Sequence, residues 1–252
     1  LDYQTKRLRH HPCMALWCGN NENQWLAEKY FLKTEEHPVS GGLTIYNKIA
    51  PSIIHGNCPE IPYWRSSPYG GGMPNDNEVG DRHHWGDCTM SENMEDRITP
   101  EVYDRVTSRF VSEYGYIGPC SDETIKKYYG DNPVARNDRI WNLHNNTFEK
   151  ATVPEGIRKH YIDPEGLQLS DYLRYARLVQ GLMYGYSLEA IRYYPKNDGS
   201  LFWMYNDTWG EVGWTIIDYY LDRKPSYYYV KRAFAPVKFI LRRSGDEFYR
   251  RE

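Results

Sequence analysis

Short apolar runs alternate with helix-like stretches along this chain. Residues 13–19 form one such run, Cys-Met-Ala-Leu-Trp-Cys-Gly, whose continuous apolar character predicts a strand buried on both faces. Four further strands are predicted at residues 61–67, 83–85, 109–113 and 201–205. Because strands that alternate with helices form parallel βαβ units, the sequence predicts an α/β fold with about five such units.

Helices are predicted where apolar residues recur at three- and four-residue steps or where capping residues stand. The longest covers about residues 170–193, and its apolar stripe is typical of core packing. Ser121 is a predicted N-cap, with acidic residues in the first turn, lysines in the last and Gly130 as the stop. Three more helices are predicted: one that ends at about Ile54, one that begins at Thr99-Pro100 and one over residues 226–233. Residues 68–80 and 131–165 are predicted to be mostly loop.

Composition narrows the function classes. The 252 residues carry 31 Lys and Arg against 34 Asp and Glu, a net charge of −3, which argues against a nucleic-acid binder. No apolar run approaches the roughly 20 residues that span a bilayer, so no membrane partner is predicted. The 24 Tyr, 8 Trp and 7 Phe would suit a sugar site, although a wet core explains them equally well. The first residues are neither a start methionine nor a signal peptide, so the sequence indicates no compartment.

Five cysteines cannot all pair, and their irregular spacing lacks a C-x-x-C motif, so we predict that they are reduced. A zinc site is conceivable because two histidines and two cysteines lie close together, but they lack a second ligand pair. These residues are His10, His11, Cys13 and Cys18.

Two glutamates stand at the C-terminal tips of predicted strands. Glu22 ends the motif Trp-Cys-Gly-Asn-Asn-Glu, and Glu113 lies within the motif Phe-Val-Ser-Glu-Tyr-Gly. In a parallel α/β barrel, side chains at these tips converge on one pocket. We therefore expect the two carboxylates to meet.

These two motifs resemble motifs of glycoside hydrolase family 2. Residues 7–22 are similar to the acid/base strand of its β-mannosidase branch, and residues 110–115 resemble its nucleophile strand. Residues 80–85, Gly-Asp-Arg-His-His-Trp, resemble a third segment of this branch. Residues 202–207, Phe-Trp-Met-Tyr-Asn-Asp, with Trp209 and residues 224–228, resemble its last barrel strand and closing helix. The sequence departs from the family pattern at His10, Cys13 and Met204, which bears on substrate detail more than on chemistry.

The resemblance implies that Glu22 is the general acid/base and Glu113 the nucleophile. Glycosidic bond cleavage needs one protonated carboxyl to release the leaving oxygen and one ionised carboxyl to attack the anomeric carbon. In retaining enzymes the two groups lie roughly 5 to 5.5 Å apart. Repulsion at that range raises one pKa, so that Glu22 can hold a proton while Glu113 stays charged.

Three residues are predicted to contact the sugar near these carboxylates. By resemblance, Asn21 contacts the 2-hydroxyl group, whose hydrogen bonds strengthen in the transition state. His83 and Trp85 are two positions apart and face the same side of a strand, so His84 points the other way. We predict that His83 binds a sugar hydroxyl and that Trp85 forms a wall of the pocket; ordinary barrel packing is the alternative.

Trp203 is predicted to be the platform beneath the bound mannose, because the apolar face of a pyranose packs well on an indole ring. A tryptophan at a barrel strand end is also good core, which remains the alternative. Asn206 and Trp209 are substrate-binding candidates of the same kind.

The chain length equals that of a complete eight-unit barrel, about 250 residues, but the motif positions predict a fragment. By resemblance the strand ending at Glu22 is the fourth, and three earlier units would need roughly 90 residues. We therefore predict a partial (β/α)8 TIM barrel, about strands 4 to 8, over residues 1–236, and the start of a β-sandwich domain or a tail over residues 237–252. The remainder of the barrel, or self-association, would cover its open edges.

The resemblance thus implies a retaining exo-glycosidase that acts on terminal non-reducing β-D-mannose, in a β-mannoside or related oligosaccharide, without a cofactor or metal. One alternative is another family 2 specificity such as exo-β-glucosaminidase. A second is a non-catalytic sugar-binding fragment. A third is a metal-dependent hydrolase built from His83, His84 and Asp87.

Overall fold

The structure is a computed structural model that describes residues 1–26, 42, 44–70 and 73–241. The chain divides into two compact units, each assembled from separate segments. The first comprises Leu1–Ser91, Val106–Gly115 and Lys196–Trp203, and the second comprises Glu92–Arg105, Tyr116–Pro195 and Met204–Glu252. No helix in the described part of the chain combines the length and the apolar character that crossing a bilayer requires.

Short parallel strands form two open sheets in the first unit. Strand β1 (Trp17–Cys18) pairs with β2 (Tyr63–Trp64), and β4 (Phe110–Glu113) lies between β3 (Arg82–His83) and β6 (Gly199–Ser200). This pairing agrees with the predicted α/β fold of parallel strands, although the last strand, Gly199–Ser200, lies just before the predicted residues 201–205, which form no strand. Their placement in a partial barrel stays a prediction.

Strand β1 is not buried on both faces, which corrects the prediction for residues 13–19. Cys13 and Cys18 are exposed and Trp17 is half-buried. Among the described residues, β1 is hydrogen-bonded to a strand on one edge only. The apolar run misled because cysteine counts as apolar, yet these two thiols lie at the surface. None of the five cysteines forms a disulfide.

The helices of the first unit support the β1–β2 pair. They are α1 (Asp2–Leu8), α2 (Asn23–Leu26) and α3 (Ala50–Asn57), which continues a π-helical segment, Ile45–Ile49. Asn57 Nδ2 donates to Thr5 Oγ1 at 2.8 Å and ties α3 to α1. Buried side chains of α3 and the following turn pack against Trp17 of β1 and Tyr63 of β2, namely Ala50, Ile54, Cys58 and Ile61. This cluster anchors the strand that leads to Glu22.

The second unit is mostly helical. It contains α4 (Met94–Ile98), a 3₁₀ helix (Pro100–Arg105), α5 (Asp122–Tyr129), α6 (Arg139–Leu143), α7 (Thr152–His160), α8 (Leu169–Tyr193), α9 (Pro225–Ala233) and an antiparallel pair, β5 (Gly118–Pro119) with β7 (Val212–Gly213). The bounds of α5, α8 and α9 confirm the predicted helices to within one residue. Helix α8 buries the predicted apolar stripe, including Leu173, Ala176, Val179 and Met183.

A buried amide ties α8 to the rest of this unit. Gln180 is fully buried, and its Nε2 lies 3.1 Å from the carbonyl oxygens of Tyr116, Gly213 and Thr215. Its Oε1 accepts a hydrogen bond from Ser226 Oγ of α9 at 3.0 Å. Next to it, a Cβ atom at Gly181 would lie 2.6 Å from the Tyr229 ring, so only glycine allows α9 to approach this closely.

Residues 131–165 lie mostly outside helices and strands, as predicted, but α6 and α7 lie there and were not predicted. Helix α6 is short and begins at Asp138, whose side chain accepts a hydrogen bond from the backbone N–H of Trp141. Helix α7 contains Pro154 and Gly156, which weaken a helix pattern. Pro154 is tolerated in the first turn. Gly156 is needed because a Cβ atom there would lie 2.5 Å from the Tyr116 hydroxyl.

The start of a β-sandwich domain or a tail is predicted from residue 237 onwards. Residues 237–241 form no strand, and Val237, Phe239 and Leu241 are exposed. The other residues of the predicted C-terminal domain or tail, 242–252, lie outside the described part.

A buried carboxylate fixes the start of α5. Asp218 Oδ2 accepts hydrogen bonds from Ser121 N at 3.0 Å and Thr124 Oγ1 at 2.8 Å, while Oδ1 accepts from the backbone N–H groups of Tyr220 at 3.1 Å and Asp222 at 2.9 Å. Burial raises the pKa of Asp218, but these hydrogen bonds outweigh burial and hold the pKa below its usual value.

We expect Asp218→Asn to lower the free energy of unfolding by about 1–3 kcal/mol, because the amide group cannot accept hydrogen bonds on both sides. A pKa depressed in the folded state stabilises the wild type above the unfolded pKa of about 3.9, and this stability is lost as the pH falls through the folded value. The variant should lose less stability between pH 6 and about 3.

Urea unfolding at both pH values measures this difference. Asp131→Asn, at an exposed carboxylate of the same unit, is the matched control and should leave the transition midpoint unchanged. Equal midpoints for wild type and Asp218→Asn would contradict the assigned role of this carboxylate.

Candidate active site

Two carboxylates and one imidazole meet where three parallel strands of the first unit end. Glu22 follows β1, His83 ends β3 and Glu113 ends β4. One nitrogen of His83 and one oxygen of each glutamate all lie within 4.8 Å of one another. The structure thus brings together two glutamates that are remote in sequence.

The backbone at Glu22 is in the left-handed region, with φ of 60°. This conformation costs a residue with a Cβ atom roughly 1 kcal/mol or more, so neighbouring contacts must hold it. Glu22 N donates to Ser67 O at 2.7 Å. The preceding Asn20 accepts from Asn23 N at 3.0 Å and donates to Arg65 O at 2.7 Å. These bonds fix the turn that aims the Glu22 side chain.

A β-bulge brings His83 level with Glu113. Arg82 pairs with Val111 but His83 pairs with Glu113, so Ser112 is an extra residue on β4. The backbone N–H of His84 then donates to Glu113 O at 2.7 Å. Without this bulge, His83 and Glu113 would not be cross-strand neighbours.

Both ring nitrogens of His83 have protein partners, and its side chain is only 2% exposed. Nδ1 lies 2.7 Å from Glu22 Oε1 and 3.4 Å from Glu113 Oε2. Nε2 lies 2.9 Å from Ser67 Oγ. The predicted contact of His83 with a sugar hydroxyl would require one of these partners to be exchanged.

Behind His83 lies a buried carboxylate, Asp81. Its Oδ1 accepts from the backbone N–H of Tyr69 at 2.7 Å, and its Oδ2 accepts from the hydroxyls of Ser67 and Ser112, each at 2.5 Å. Neither Asp81 nor the two serines are among the site residues predicted from the sequence. The two-residue periodicity that links His83 to Trp85 also places Asp81 on the same strand face, and this pattern would have identified it.

Glu113 is largely enclosed, with its side chain 14% exposed, and accepts a hydrogen bond from Trp85 Nε1 at 3.1 Å. Burial raises the pKa of Glu113, and the charges of Glu22 and Asp81 add to this effect. The charge of His83 and the Trp85 hydrogen bond oppose it. Burial is thus the largest cause, not the carboxylate repulsion predicted from the sequence, and the raised pKa belongs to Glu113, which was predicted to stay charged.

His84 lies away from the carboxylate pair, as the strand alternation predicts. Its Nδ1 is 3.6 Å from Asp87 Oδ2, and the side chain is buried. Burial, with a smaller effect of Arg82, lowers the pKa of His84 to about 4, against the opposing charge of Asp87. His84 is therefore neutral at pH 7.

The other predicted sugar-binding residues are distributed over both units. Asn21 is exposed beside Glu22. Trp203 belongs to the first unit, donates its backbone N–H to Tyr114 O at 2.7 Å and is 41% exposed. Asn206 and Trp209 belong to the second unit. There Trp209 stacks on His144 with ring centroids 4.5 Å apart and remains 51% exposed.

Among the described residues, the trio Glu22, His83 and Glu113 is the one group with metal-ligand spacing. Its nitrogen and carboxylate donors would suit zinc. The 2.7 Å contact of His83 with Glu22, however, is a hydrogen-bond distance, and Glu113 accepts from Trp85, so a metal would have to displace both bonds. Neither metal set considered in the sequence analysis, His10-His11-Cys13-Cys18 or His83-His84-Asp87, has this spacing.

Comparisons with known proteins agree with the motifs. No protein-family profile matches the chain. A curated relative, β-mannosidase B of Thermothelomyces thermophilus, is 32% identical over 266 residues, which cover 95% of this chain and 30% of the relative. The crystal structure of a β-D-mannosidase from Dictyoglomus thermophilum is 34% identical, with a TM-score of 0.75 over 92% of this chain and 28% of that one.

A more distant structure, an exo-chitosanase of Amycolatopsis orientalis, is 18% identical with a TM-score of 0.53 over 92% of this chain and 26% of that one, and shows the fold alone. The chain thus spans less than a third of the length of the relatives that it matches. Over nearly all of its own length it matches proteins named β-mannosidases, as the motifs around Glu22 and Glu113 predict. The chain is a β-mannosidase-like segment of glycoside hydrolase family 2.

Proposed function

We propose that the protein containing this chain is a retaining exo-glycosidase that hydrolyses terminal non-reducing β-D-mannose residues. The observation that carries the proposal is the approach of Glu22 and Glu113, whose nearest ligand oxygens lie within 4.8 Å. Paired carboxyl groups stand roughly 5 to 5.5 Å apart in retaining glycosidases and about 6.5 to 9.5 Å apart in inverting ones. The short separation therefore favours double displacement. The similarity to proteins named β-mannosidases supports the choice of mannose.

The fold proposal is that the five parallel strands are strands 4 to 8 of a (β/α)8 barrel formed by residues 1–236. All three chemically active side chains follow the carboxyl ends of parallel strands, which is where barrel enzymes carry their sites. The other barrel strands would come from the rest of the polypeptide or from another copy.

In the first step, a carboxylate oxygen of Glu113 bonds to the anomeric carbon as the bond from that carbon to the leaving oxygen breaks. Glu22 gives its proton to the leaving oxygen, and the products are an alcohol and a glycosyl ester of Glu113. In the second step, Glu22 takes a proton from water while the water oxygen displaces Glu113. Two inversions at the anomeric carbon give net retention.

The nucleophile must be ionised in the first step, although burial raises the pKa of Glu113. The Trp85 N–H and the imidazole of His83 both favour its charged form. Once Glu113 becomes a neutral ester, it no longer repels the carboxylate of Glu22, which gave its proton to the leaving oxygen in the first step and now serves as the base.

Sugar contacts are proposed for exposed groups near and beyond the carboxylates. Asn21 adjoins Glu22 and offers an amide to the 2-hydroxyl group, and Trp203 offers an exposed indole face to the pyranose ring. Trp85 is proposed as a further contact, as is the buried His83, which would have to exchange one of its protein partners. Asn206 and Trp209 of the second unit stay predictions.

Glu113→Gln should reduce kcat by about 10⁴-fold or more, because the amide cannot attack the anomeric carbon. Hydrolysis of 4-nitrophenyl β-mannoside measures the loss. Glu60→Gln, at an exposed glutamate of the same unit, is the matched control and should retain wild-type turnover. Proton NMR of the wild-type reaction should show β-mannose as the first product; α-mannose appearing first, or an active Glu113→Gln variant, would overturn the nucleophile assignment.

The wild-type protein should hydrolyse an aryl β-mannoside with a kcat/KM at least about tenfold above those of the matching β-glucosaminide and β-galactoside. A site built to hydrogen-bond an axial 2-hydroxyl leaves its polar groups unpaired when that hydroxyl is missing or inverted. The three substrates are compared at one pH with the same leaving group. Preference for β-glucosaminide would replace the mannose proposal with the exo-β-glucosaminidase alternative.

Trp85→Phe should move the acidic limb of the kcat/KM profile to higher pH. The Trp85 hydrogen bond lowers the pKa of Glu113, so its loss should raise that pKa. Since the nucleophile must be ionised, a higher pKa requires a higher pH for the same rate. Phenylalanine keeps the apolar ring, so an unmoved limb would show that the N–H does not act on Glu113.

A further inference from the structure

We infer that Asp81 is a positioning residue that keeps a proton on the Glu22–His83 pair by fixing the hydrogen-bond direction through Ser67. The role of Glu22 as the acid rests on the proposed function. The direction of each hydrogen bond follows from counting donors and acceptors among buried groups.

The count begins at Asp81, which is 3% exposed. An ionised carboxylate can only accept hydrogen bonds. Its Oδ2 lies 2.5 Å from the hydroxyls of both Ser67 and Ser112, so each serine must use its single hydroxyl hydrogen there. The two hydroxyl oxygens lie 3.3 Å from each other, and Ser112 Oγ lies 3.4 Å from Arg82 O; both contacts are longer and compete only weakly for the hydroxyl hydrogens.

The direction of the Ser67 hydroxyl determines which nitrogen of His83 carries a hydrogen. Because the hydrogen of Ser67 points to Asp81, its oxygen can only accept in the 2.9 Å contact with His83 Nε2. His83 therefore carries a hydrogen on Nε2. The tautomer with a hydrogen on Nδ1 alone would leave two lone pairs facing each other across this contact.

The hydrogen on Nε2 of His83 in turn limits the protonation state of Glu22. Its Oε1 lies 2.7 Å from His83 Nδ1, a distance that requires one hydrogen between the two atoms. With Nε2 already protonated, either Glu22 is a neutral acid that donates to Nδ1, or His83 is a cation that donates to the Glu22 carboxylate. In both forms the pair holds the one proton that a general acid must deliver.

Other charged groups around the pair act in the same direction. Glu113, which approaches Nδ1 to 3.4 Å from β4, favours retention of the proton by its negative charge. Asp81 does so from the same strand as His83 and also interacts electrostatically with Cys18 of β1. Arg82 is engaged by Asn77 and Asp87.

Asp81→Asn tests this direction with a nearly isosteric change. The Tyr69 N–H, now at 2.7 Å from Oδ1, should keep the amide oxygen at that position and turn the amide NH₂ towards the two serines. The NH₂ group would donate to both hydroxyls, so Ser67 would donate to His83 Nε2. His83 would then carry its hydrogen on Nδ1 and donate to a Glu22 carboxylate, and the pair would hold one proton fewer.

The expected signature is a dependence on the leaving group. The sugar is the one that the wild type hydrolyses fastest as an aryl β-glycoside. With a poor leaving group such as phenol, Asp81→Asn should lower kcat/KM by about 10²-fold or more, because protonation of the leaving oxygen is lost. With 2,4-dinitrophenol, which leaves without protonation, the loss should stay below about threefold. The alkaline limb of the phenyl profile should also move to lower pH.

Two further variants complete the test. Ser112→Ala removes the other hydroxyl from Asp81 but leaves the Ser67–His83 link, so its leaving-group dependence should match that of the wild type. Ser67→Ala breaks the link and should reproduce the pattern of Asp81→Asn in a weaker form. If Asp81→Asn does not fold, Ser67→Ala alone decides.

Equal losses with both leaving groups, or no loss with phenol, would overturn the inference and leave Asp81 a structural residue. A wild type inactive on every aryl β-glycoside would instead overturn the proposed function, and the inference with it. The two failures are therefore distinguishable.

Discussion

The hydrogen bond between His83 and Glu22 is the interaction on which the arrangement of the site depends. Two carboxylates about 4 Å apart repel each other by about 4 kcal/mol at an effective dielectric constant of 20. Here the imidazole nitrogen lies 2.7 Å from one carboxylate and 3.4 Å from the other, so a proton stands where the repulsion is greatest. Because the His83 side chain is buried, its position is set by protein contacts and not by solvent.

Three backbone features hold this contact, and each is locally unfavourable. Glu22 adopts a left-handed conformation, Ser112 interrupts the β3–β4 register, and β1 is paired on one edge only among the described residues. The hydrogen bond from Glu22 N to Ser67 O and the side-chain hydrogen bonds of Asn20 offset the cost at Glu22, and the bond from His84 N to Glu113 O restores the ladder after the bulge. The unfavourable backbone is concentrated where the side chains must converge, as is common at functional sites.

Local patterns predicted the elements that local interactions determine. Helix α5 has its Ser121 cap and Gly130 stop, and α8 has its apolar stripe, so both were predicted to within one residue. The β5–β7 pair and helix α7 were not predicted, because they are stabilised by contacts remote in sequence. Gln180 reaches three backbone carbonyls across the second unit, and Tyr116 requires the glycine that obscures α7. Neither contact leaves a periodic trace.

The site shows the same division. Glu22 and Glu113 could be predicted as catalytic residues because each lies at the end of a predicted strand in a motif that resembles the family. His83 and Trp85 could be predicted as site residues because they share a strand face. The bulge at Ser112 was not predicted, because no residue type in the sequence indicates it. Without the bulge there is no reason to expect the contact of Ser112 with Asp81. Repulsion between the glutamates was expected to dominate their electrostatics, whereas burial is the larger cause of the raised pKa of Glu113. Sequence gives the number of charges but not the depth of the pocket. A carboxylate that must be ionised while buried needs partners that favour its charged form: Trp85 Nε1 donates to Glu113 at 3.1 Å, and the imidazole of His83 lies 3.4 Å away.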